Sequence, residues 1–221
     1  MKSIGRRGFM IAGGAVLAGG AGVALLGPAI SSTGTDNALT TALAKEPPHG
    51  EKWLGAKDAR VTIVEFASAT CPHCANFHKG TYKLLKKEYI DTGKIKFVLR
   101  EFPFDDLSLA AFMVARCAPE GRYFDMIDVL FERQKAWVGH DPRGELFKIA
   151  QQAGATKESF EACLKNEKLA KGILSARDHA QSELGVAATP TFFINGKKLN
   201  GNHPMSSFRK QIDGILNQKS S

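Results

Sequence analysis

The 221-residue sequence predicts an α/β domain that is interrupted by a long all-helical segment, and three observations lead to this fold class. A β-branched run at 61–66, a helical pattern over 71–90 and a second apolar run at 95–100 predict a β-α-β unit. Residues 107–184 then show helical periodicity only. A strand and hairpin at 191–199 return the chain to the sheet before a closing helix.

Composition excludes several classes of protein. With 43% apolar and 24% charged residues, the chain is typical of a globular protein and unlike disordered, collagen or coiled-coil sequences. The net charge of +8 is diffuse, because no dense basic block follows the first residues. We therefore expect no nucleic-acid partner.

Residues 1–44 are interpreted as an export signal followed by a linker. A basic start with paired Arg6-Arg7 precedes a long uncharged stretch rich in Gly and Ala, which resembles a bacterial twin-arginine signal. Residues 31–50 are predicted to be a linker, with a late cleavage site at Ala42-Leu43-Ala44. The alternative is an uncleaved N-terminal membrane anchor. Either interpretation places the rest of the chain outside the cytoplasm, and we expect the periplasm.

The first part of the sheet domain is assigned to residues 45–106. The run at 61–66 is short and β-branched, as expected of a buried strand, and a parallel pairing with 95–100 is predicted. The helix between them is expected to begin at or near Cys71 and to end at 91–93.

An inserted helical domain is assigned to residues 107–184, where apolar residues recur at helical spacing. Residues 185–221 are expected to complete the sheet domain. They carry a strand at 191–194, a hairpin turn at Asn195-Gly196 and a closing helix over 205–216.

The residues that carry chemistry are Cys71-Pro72-His73-Cys74, which follow a strand and open a helix. Two cysteines at this spacing can close a small disulfide ring. The N-terminus of a helix stabilises a thiolate through its unpaired N–H groups and its dipole, and protonated His73 adds positive charge. The motif therefore predicts a redox pair in which the pKa of Cys71 is lowered and Cys71 is a good leaving group.

Zinc binding is the alternative interpretation of the same residues. Cys71, Cys74 and His78 would be three ligands and His73 a fourth. A structural zinc site usually has a second Cys/His pair, and the two remaining cysteines are widely separated. We favour redox chemistry without a metal or organic cofactor, and we expect His78 to be a surface or supporting residue.

Two separated motifs of this sequence occur together in one family. Cys71-Pro72-His73-Cys74 follows Val64-Glu65-Phe66, and Thr189-Pro190-Thr191-Phe192-Phe193-Ile194 comes much later. The combination resembles the DsbA-like thiol:disulfide oxidoreductases over roughly residues 50–218. The resemblance implies an α/β thioredoxin fold with an inserted all-helical domain, in agreement with the predicted element order.

The resemblance also implies a role for each matching residue. Cys71 is the exposed reactive cysteine, Cys74 is its buried partner, and Pro190 is a cis-proline facing the disulfide. Glu65 matches a buried acid of the family, whereas burial statistics alone leave open a position on a wet sheet edge. Thr189 stands where the best-known enterobacterial oxidase has valine, and threonine there is familiar from isomerases.

The expected function is that of a periplasmic thiol:disulfide oxidoreductase that introduces disulfide bonds into exported proteins. Its expected partners are unfolded or reduced exported proteins and a reoxidising membrane quinone-linked oxidase. Two alternatives stay open: a disulfide isomerase or reductase with the same residues, and a non-enzymatic chaperone for unfolded exported chains.

A second, structural disulfide is expected between Cys117 and Cys163. The active pair uses the other two cysteines, and these two lie on apolar helix faces of one small domain. Neighbouring thiols join in an oxidising compartment. The alternative is two separate buried thiols.

Overall fold

The fold is taken from a computed structural model, which describes residues 33–218, so the predicted export signal lies outside the described residues. Within 33–218, no helix is long and apolar enough to cross a bilayer. The strands are β1 (Lys52–Gly55), β2 (Val61–Ala67), β3 (Ile95–Glu101), β4 (Thr191–Ile194) and β5 (Lys197–Asn200). The helices are α1 (Thr33–Ala44), α2 (Pro72–Lys79), α3 (Thr81–Leu85), α4 (Asp106–Arg116), α5 (Tyr123–Glu132), α6 (Gln134–Trp137), α7 (Pro142–Gln152), α8 (Lys157–Leu164), α9 (Glu167–Glu183) and α10 (Met205–Leu216).

The five strands form one mixed sheet in the order β1-β3-β2-β4-β5. The central pair, β2 and β3, is parallel, which confirms the predicted β-α-β unit. The other three pairings are antiparallel, and β4 and β5 form the predicted hairpin. Strand β1 was not predicted; it is a four-residue edge strand that alternates between half-buried and exposed positions. Its pattern is too short to predict a strand.

The two faces of the sheet bury separate cores, because side chains alternate along each strand. The front core contains Ile63, Phe97 and Phe192, together with residues of α2, α10 and the inserted helices. The rear core contains Val64 and Phe193, together with residues of α1 and α9. Glu65 points to the same face as Ile63, so it lies on the side of α2.

Helix α1 replaces part of the linker that was predicted over residues 31–50, so that prediction was wrong. Leu43 is buried in the rear core, with Leu39 packed against it one helical turn earlier. The Arg100 guanidinium also donates to the Leu43 carbonyl over 2.8 Å. Two leucines among small and polar residues only weakly predict an amphipathic helix. The sequence also does not show which face of the sheet these leucines would cover. Cleavage after Ala44 would remove this helix.

The helix predicted over 71–90 is interrupted at Gly80, so its predicted continuity was also wrong. Gly80 has φ −117° and ψ −90°, which ends α2, and its N–H bonds to the carbonyls of Asn76 and Phe77. The chain continues as α3 and a π-helical turn, Lys86–Ile90. Glycine weakens a helix because it lacks a side chain and leaves the backbone flexible.

The inserted segment is helical, as predicted: α4 to α9 lie between β3 and β4. Trp137 is fully buried there, and its indole N–H donates to the Leu130 carbonyl over 2.6 Å. Cys117, just after α4, and Cys163 of α8 form a disulfide with an S–S distance of 2.08 Å and a Cα–Cα distance of 6.1 Å. The bond therefore joins two helices of the inserted segment.

Candidate active site

Cys71 follows the carboxyl end of β2, where the chain leaves the sheet and enters α2. It is the N-cap residue of α2, and Pro72 occupies the first turn, where a missing N–H costs nothing. Cys71 is partly exposed and Cys74, one turn later, is fully buried. Both are free thiols. Only the first sulfur is therefore open to another protein.

The surroundings of Cys71 stabilise its thiolate and lower its pKa to about 5. The largest cause is a hydrogen bond from the Cys74 thiol, which outweighs the opposing effect of burial. The Thr189 side chain and the backbone N–H groups of Cys74 and His73 add to it. The His73 ring itself is exposed. The helix N-terminus thus acts on Cys71 mainly through its N–H groups.

The surroundings of Cys74 shift its pKa in the opposite direction. Burial raises its pKa well above the ordinary value for a thiol, and Cys71 and the charge of Glu65 raise it further. At neutral pH the pair therefore consists of one thiolate and one thiol. Such a pair has a clear nucleophile and leaving group, Cys71, and a partner that needs a proton acceptor before it can react.

The Thr189–Pro190 segment covers the exposed sulfur. The peptide bond between the two residues is cis, and the Thr189 carbonyl lies 3.3 Å from the Cys71 sulfur. The Thr189 hydroxyl is buried and makes no hydrogen bond of normal geometry among residues 33–218. It still lies close enough to the sulfur to lower the pKa of Cys71.

Glu65 is fully buried in β2, which rules out the alternative of a wet sheet edge. Its Oε2 lies 2.9 Å from Nε2 of His78, a residue of α2 that is only 3% exposed. The His78 ring stacks on Phe131 of α5, with ring centroids 4.1 Å apart. His78 is therefore a buried partner of Glu65 and not the surface residue that the sequence suggested as one alternative. The signal was its position one turn after Cys74, on the helix face that turns toward a buried acid needing a partner.

The loop between β2 and α2 is held by the inserted helices. The buried Gln134 amide of α6 donates to the carbonyls of Ala69 and Cys71, over 2.8 and 2.9 Å. The Ser108 hydroxyl of α4 accepts from the Ala69 N–H over 2.9 Å. These roles of Gln134 and Ser108 were not predicted, because nothing in their local sequence indicates the loop that they contact.

The geometry gives no support to the zinc alternative. His78 is bonded to Glu65, and no group of three or more His, Cys, Asp or Glu side chains among residues 33–218 is arranged to hold a metal ion.

Comparison with known proteins places this chain in a family. Residues 48–214 match the thioredoxin family model. A Rickettsia bellii protein named "Putative protein-disulfide oxidoreductase" is 34% identical over 75% of this chain and 64% of its own length. Disulfide bond formation protein D of Bacillus subtilis is 28% identical over 77% of this chain and 79% of its own length. The chain spans between 60 and 67% of the length of five Rickettsia relatives.

The fold of this chain is also similar to solved structures of proteins with related names. Wolbachia pipientis alpha-DsbA1 has a TM-score of 0.72 and 29% identity, covering 79% of this chain and 94% of that chain. A protein-disulfide isomerase from Novosphingobium aromaticivorans has a TM-score of 0.65 and 28% identity, covering 76% and 98%. The chain is a thioredoxin-fold protein with an inserted helical domain. It belongs to the DsbA-like protein-disulfide oxidoreductases.

Proposed function

We propose that this protein is a dithiol oxidase of the periplasm, which introduces disulfide bonds into exported proteins through Cys71-Pro72-His73-Cys74. The observation that carries the proposal is the asymmetry of the pair. Cys71 is accessible and has a pKa of about 5, whereas Cys74 is buried and has a raised pKa. A strongly stabilised thiolate favours the reduced form of the pair, which makes the disulfide form a strong oxidant.

The reaction has two exchange steps. A substrate thiolate attacks the Cys71 sulfur of the Cys71–Cys74 disulfide, and Cys74 leaves and takes up a proton. A second substrate thiolate then attacks the substrate sulfur of the mixed disulfide and expels Cys71 as a thiolate. The substrate loses two electrons and gains a disulfide, and the protein gains a dithiol. A quinone-linked membrane oxidase is the reoxidising partner in this proposal.

Each supporting residue has a part in these steps. In this proposal the backbone of a mixed-disulfide substrate passes over Thr189 and Pro190, because the Thr189 carbonyl lies 3.3 Å from the Cys71 sulfur and is followed by the cis bond. Glu65 is the acid that exchanges a proton with Cys74, since its charge acts on that buried thiol. His73, which is exposed beside Cys71, adds positive charge when it is protonated.

The equilibrium between the Cys71–Cys74 pair and glutathione tests the proposal. We expect a reduction potential closer to the value of about −120 mV of a strong oxidant than to about −270 mV, the value of thioredoxin. The Cys117→Ala/Cys163→Ala variant serves as a control, because it isolates the active pair from the second disulfide. A thioredoxin-like potential would show that the protein is a reductase.

A disulfide isomerase is the second candidate, and Thr189 is the observation that favours it. Threonine at this position is familiar from isomerases, and a related structure carries the isomerase name. An isomerase reactivates a substrate with scrambled disulfides when it is supplied in reduced form. An oxidase acts only on a reduced substrate and must be supplied in oxidised form, so the two assays separate the candidates.

A further inference from the structure

The Glu65–His78 pair has one unpaired polar atom at each end. Oε2 of Glu65 and Nε2 of His78 are bonded to each other over 2.9 Å. Oε1 of Glu65 and Nδ1 of His78 are buried and have no hydrogen-bond partner among residues 33–218. A buried polar atom without a partner costs roughly 1 to 3 kcal/mol, so two such atoms in one pair call for an explanation.

Cys74 belongs to the front core, on the face of the sheet that also carries Glu65. The charge of Glu65 contributes to the raised pKa of the Cys74 thiol, which places the carboxylate within electrostatic reach of that sulfur. Glu65 also points to the face of the sheet that α2 covers. Because Nε2 of His78 occupies Oε2, the unpartnered Oε1 is the carboxyl oxygen that is free to exchange a proton.

His78 also lines a groove of about 360 Å³, and its buried Nδ1 lies just beneath the surface that this residue presents there. The groove runs between α3 and α5, with Tyr82 on one side and Asp128 on the other. The Tyr82 hydroxyl is another buried polar atom without a partner among residues 33–218. A groove of this size with several polar atoms can hold water.

Aromatic rings pack against the His78 imidazole, and the groove lies next to it. The Phe131 ring covers one face of the imidazole, and Glu65 holds its inner nitrogen. Asp128 of α5 and Tyr82 of α3 lie on the groove side. Further out, the rim carries the charged side chains of Lys83, Lys86, Glu132 and Arg133.

We propose that Glu65 and His78 form a proton relay between Cys74 and the water in this groove. The relay starts with the Glu65 carboxyl group protonated on Oε1. When Cys74 leaves as a thiolate, Oε1 gives it this proton, Nε2 of His78 gives its proton to Oε2, and Nδ1 takes one from water that enters from the groove. When Cys74 must attack a mixed disulfide, the same three transfers run in reverse. One proton crosses per exchange, and no electrons move through the relay.

This inference rests on the proposed function, and it concerns the step that needs Cys74 as a thiolate. The test uses His78→Gln, since glutamine can still donate to Glu65 but cannot pass a proton from one nitrogen to another. Reduced protein is mixed with oxidised glutathione and quenched by acid at intervals. Mass spectrometry then follows the Cys71–glutathione mixed disulfide as it forms and as Cys74 resolves it.

We expect His78→Gln to slow resolution at least tenfold at pH 7 and to leave formation of the mixed disulfide within twofold of wild type. The defect should shrink as pH rises toward 9, because hydroxide then removes the Cys74 proton directly. The matched control is His140→Gln, at an exposed position before α7, which should change neither step. Unchanged resolution rates and pH profile in His78→Gln would overturn the relay.

A second variant keeps the test independent of the buried histidine. Val129→Phe narrows the groove and retains both members of the pair, and Leu84→Phe is its control at an exposed position outside the groove. Slower resolution in Val129→Phe alone supports the relay, and equal rates in both variants contradict it. Failure of the wild-type protein to form the Cys71–Cys74 disulfide would instead contradict the proposed function.

Discussion

Two cysteines three positions apart differ in character because the helix start gives each a different environment. Cys71 lies before the first turn, within reach of N–H groups and of the Cys74 thiol. Cys74 lies inside the first turn, against the core and near the charge of Glu65. The same backbone geometry therefore stabilises charge on one sulfur and opposes it on the other.

The contributions to the pKa of Cys71 are expected to separate in single variants of the reduced protein. Wild type should titrate at about 5. Cys74→Ala should raise this pKa most, because it removes the strongest donor, and Thr189→Val should raise it less. His73→Ala retains its backbone N–H and loses only an exposed ring, so its rise should be the smallest.

Thiolate absorbance as a function of pH measures each value. The control is Cys117→Ala/Cys163→Ala, which should leave the titration of Cys71 unchanged. A wild-type Cys71 that titrates near about 8.5, like a free thiol, would contradict both this order and the proposed mechanism.

At the scale of elements, helix α1 makes the rear of the sheet a buried face. Leu43→Ala should lower the free energy of unfolding by roughly 2 kcal/mol, since it leaves a cavity against Val64 and Phe193. Urea unfolding measures this loss. Lys45→Ala, at an exposed position just after α1, is the control and should change stability by less than about 0.5 kcal/mol. Equal effects of the two substitutions would show that α1 does not cover the core.

A buried ion pair joins the end of β3 to the inserted helices. The Glu101 carboxylate accepts from Arg116 Nε over 2.5 Å and from the Tyr123 hydroxyl over 2.6 Å, and it lies 3.2 Å from Nε2 of His49. Burial alone would raise the pKa of Glu101, but Arg116 and His49 lower it to about 2. The cluster holds the segment before β1, the end of β3, and the start of the inserted domain together.

Glu101→Gln should lower the free energy of unfolding by roughly 3 kcal/mol at pH 7, because it leaves Arg116 buried without its counterion. The folded pKa is depressed, so the contribution of Glu101 is complete above its unfolded value of about 4.3 and is lost as pH falls toward about 2. Unfolding measured from pH 7 to pH 2 should therefore show wild type and variant converging. Glu167→Gln is the exposed control, and a constant gap between wild type and Glu101→Gln would contradict the assignment.

At the scale of the whole molecule, the sequence predicted what depends on local pattern. The Asn195-Gly196 turn has φ angles of 44° and 84°, which these residue types tolerate, and it forms the predicted hairpin. The inserted helices follow from apolar periodicity. The α1 packing and the Glu65–His78 pair depend on which surfaces meet in the folded chain. The rear face of the sheet cannot be derived from local sequence. Helical spacing puts His78 on the same face of α2 as Cys74 but does not identify the residue that this face meets.

The redox state of the active pair is coupled to the stability of the whole protein. Only the reduced protein has a titrating thiol at Cys71, whose pKa falls from about 8.5 when unfolded to about 5 when folded. A depressed pKa adds stability that is complete above the unfolded value and is lost as pH falls through the folded one. Cys74 stays a thiol in the folded protein throughout this range.

The stability of the reduced protein relative to the oxidised protein should therefore rise between pH 5 and pH 8. The slope is limited to about 1.4 kcal/mol per pH unit, the value for one proton. Urea unfolding of both forms at each pH measures the difference, with thiol counting to show that the Cys117–Cys163 bond is intact in both. The Cys71→Ser/Cys74→Ser variant is the control, because mild reductant should not change its stability at any pH. A difference between the two wild-type forms that does not vary with pH would mean that no Cys71 thiolate is stabilised by the fold, and the protein would then have no basis for acting as an oxidant.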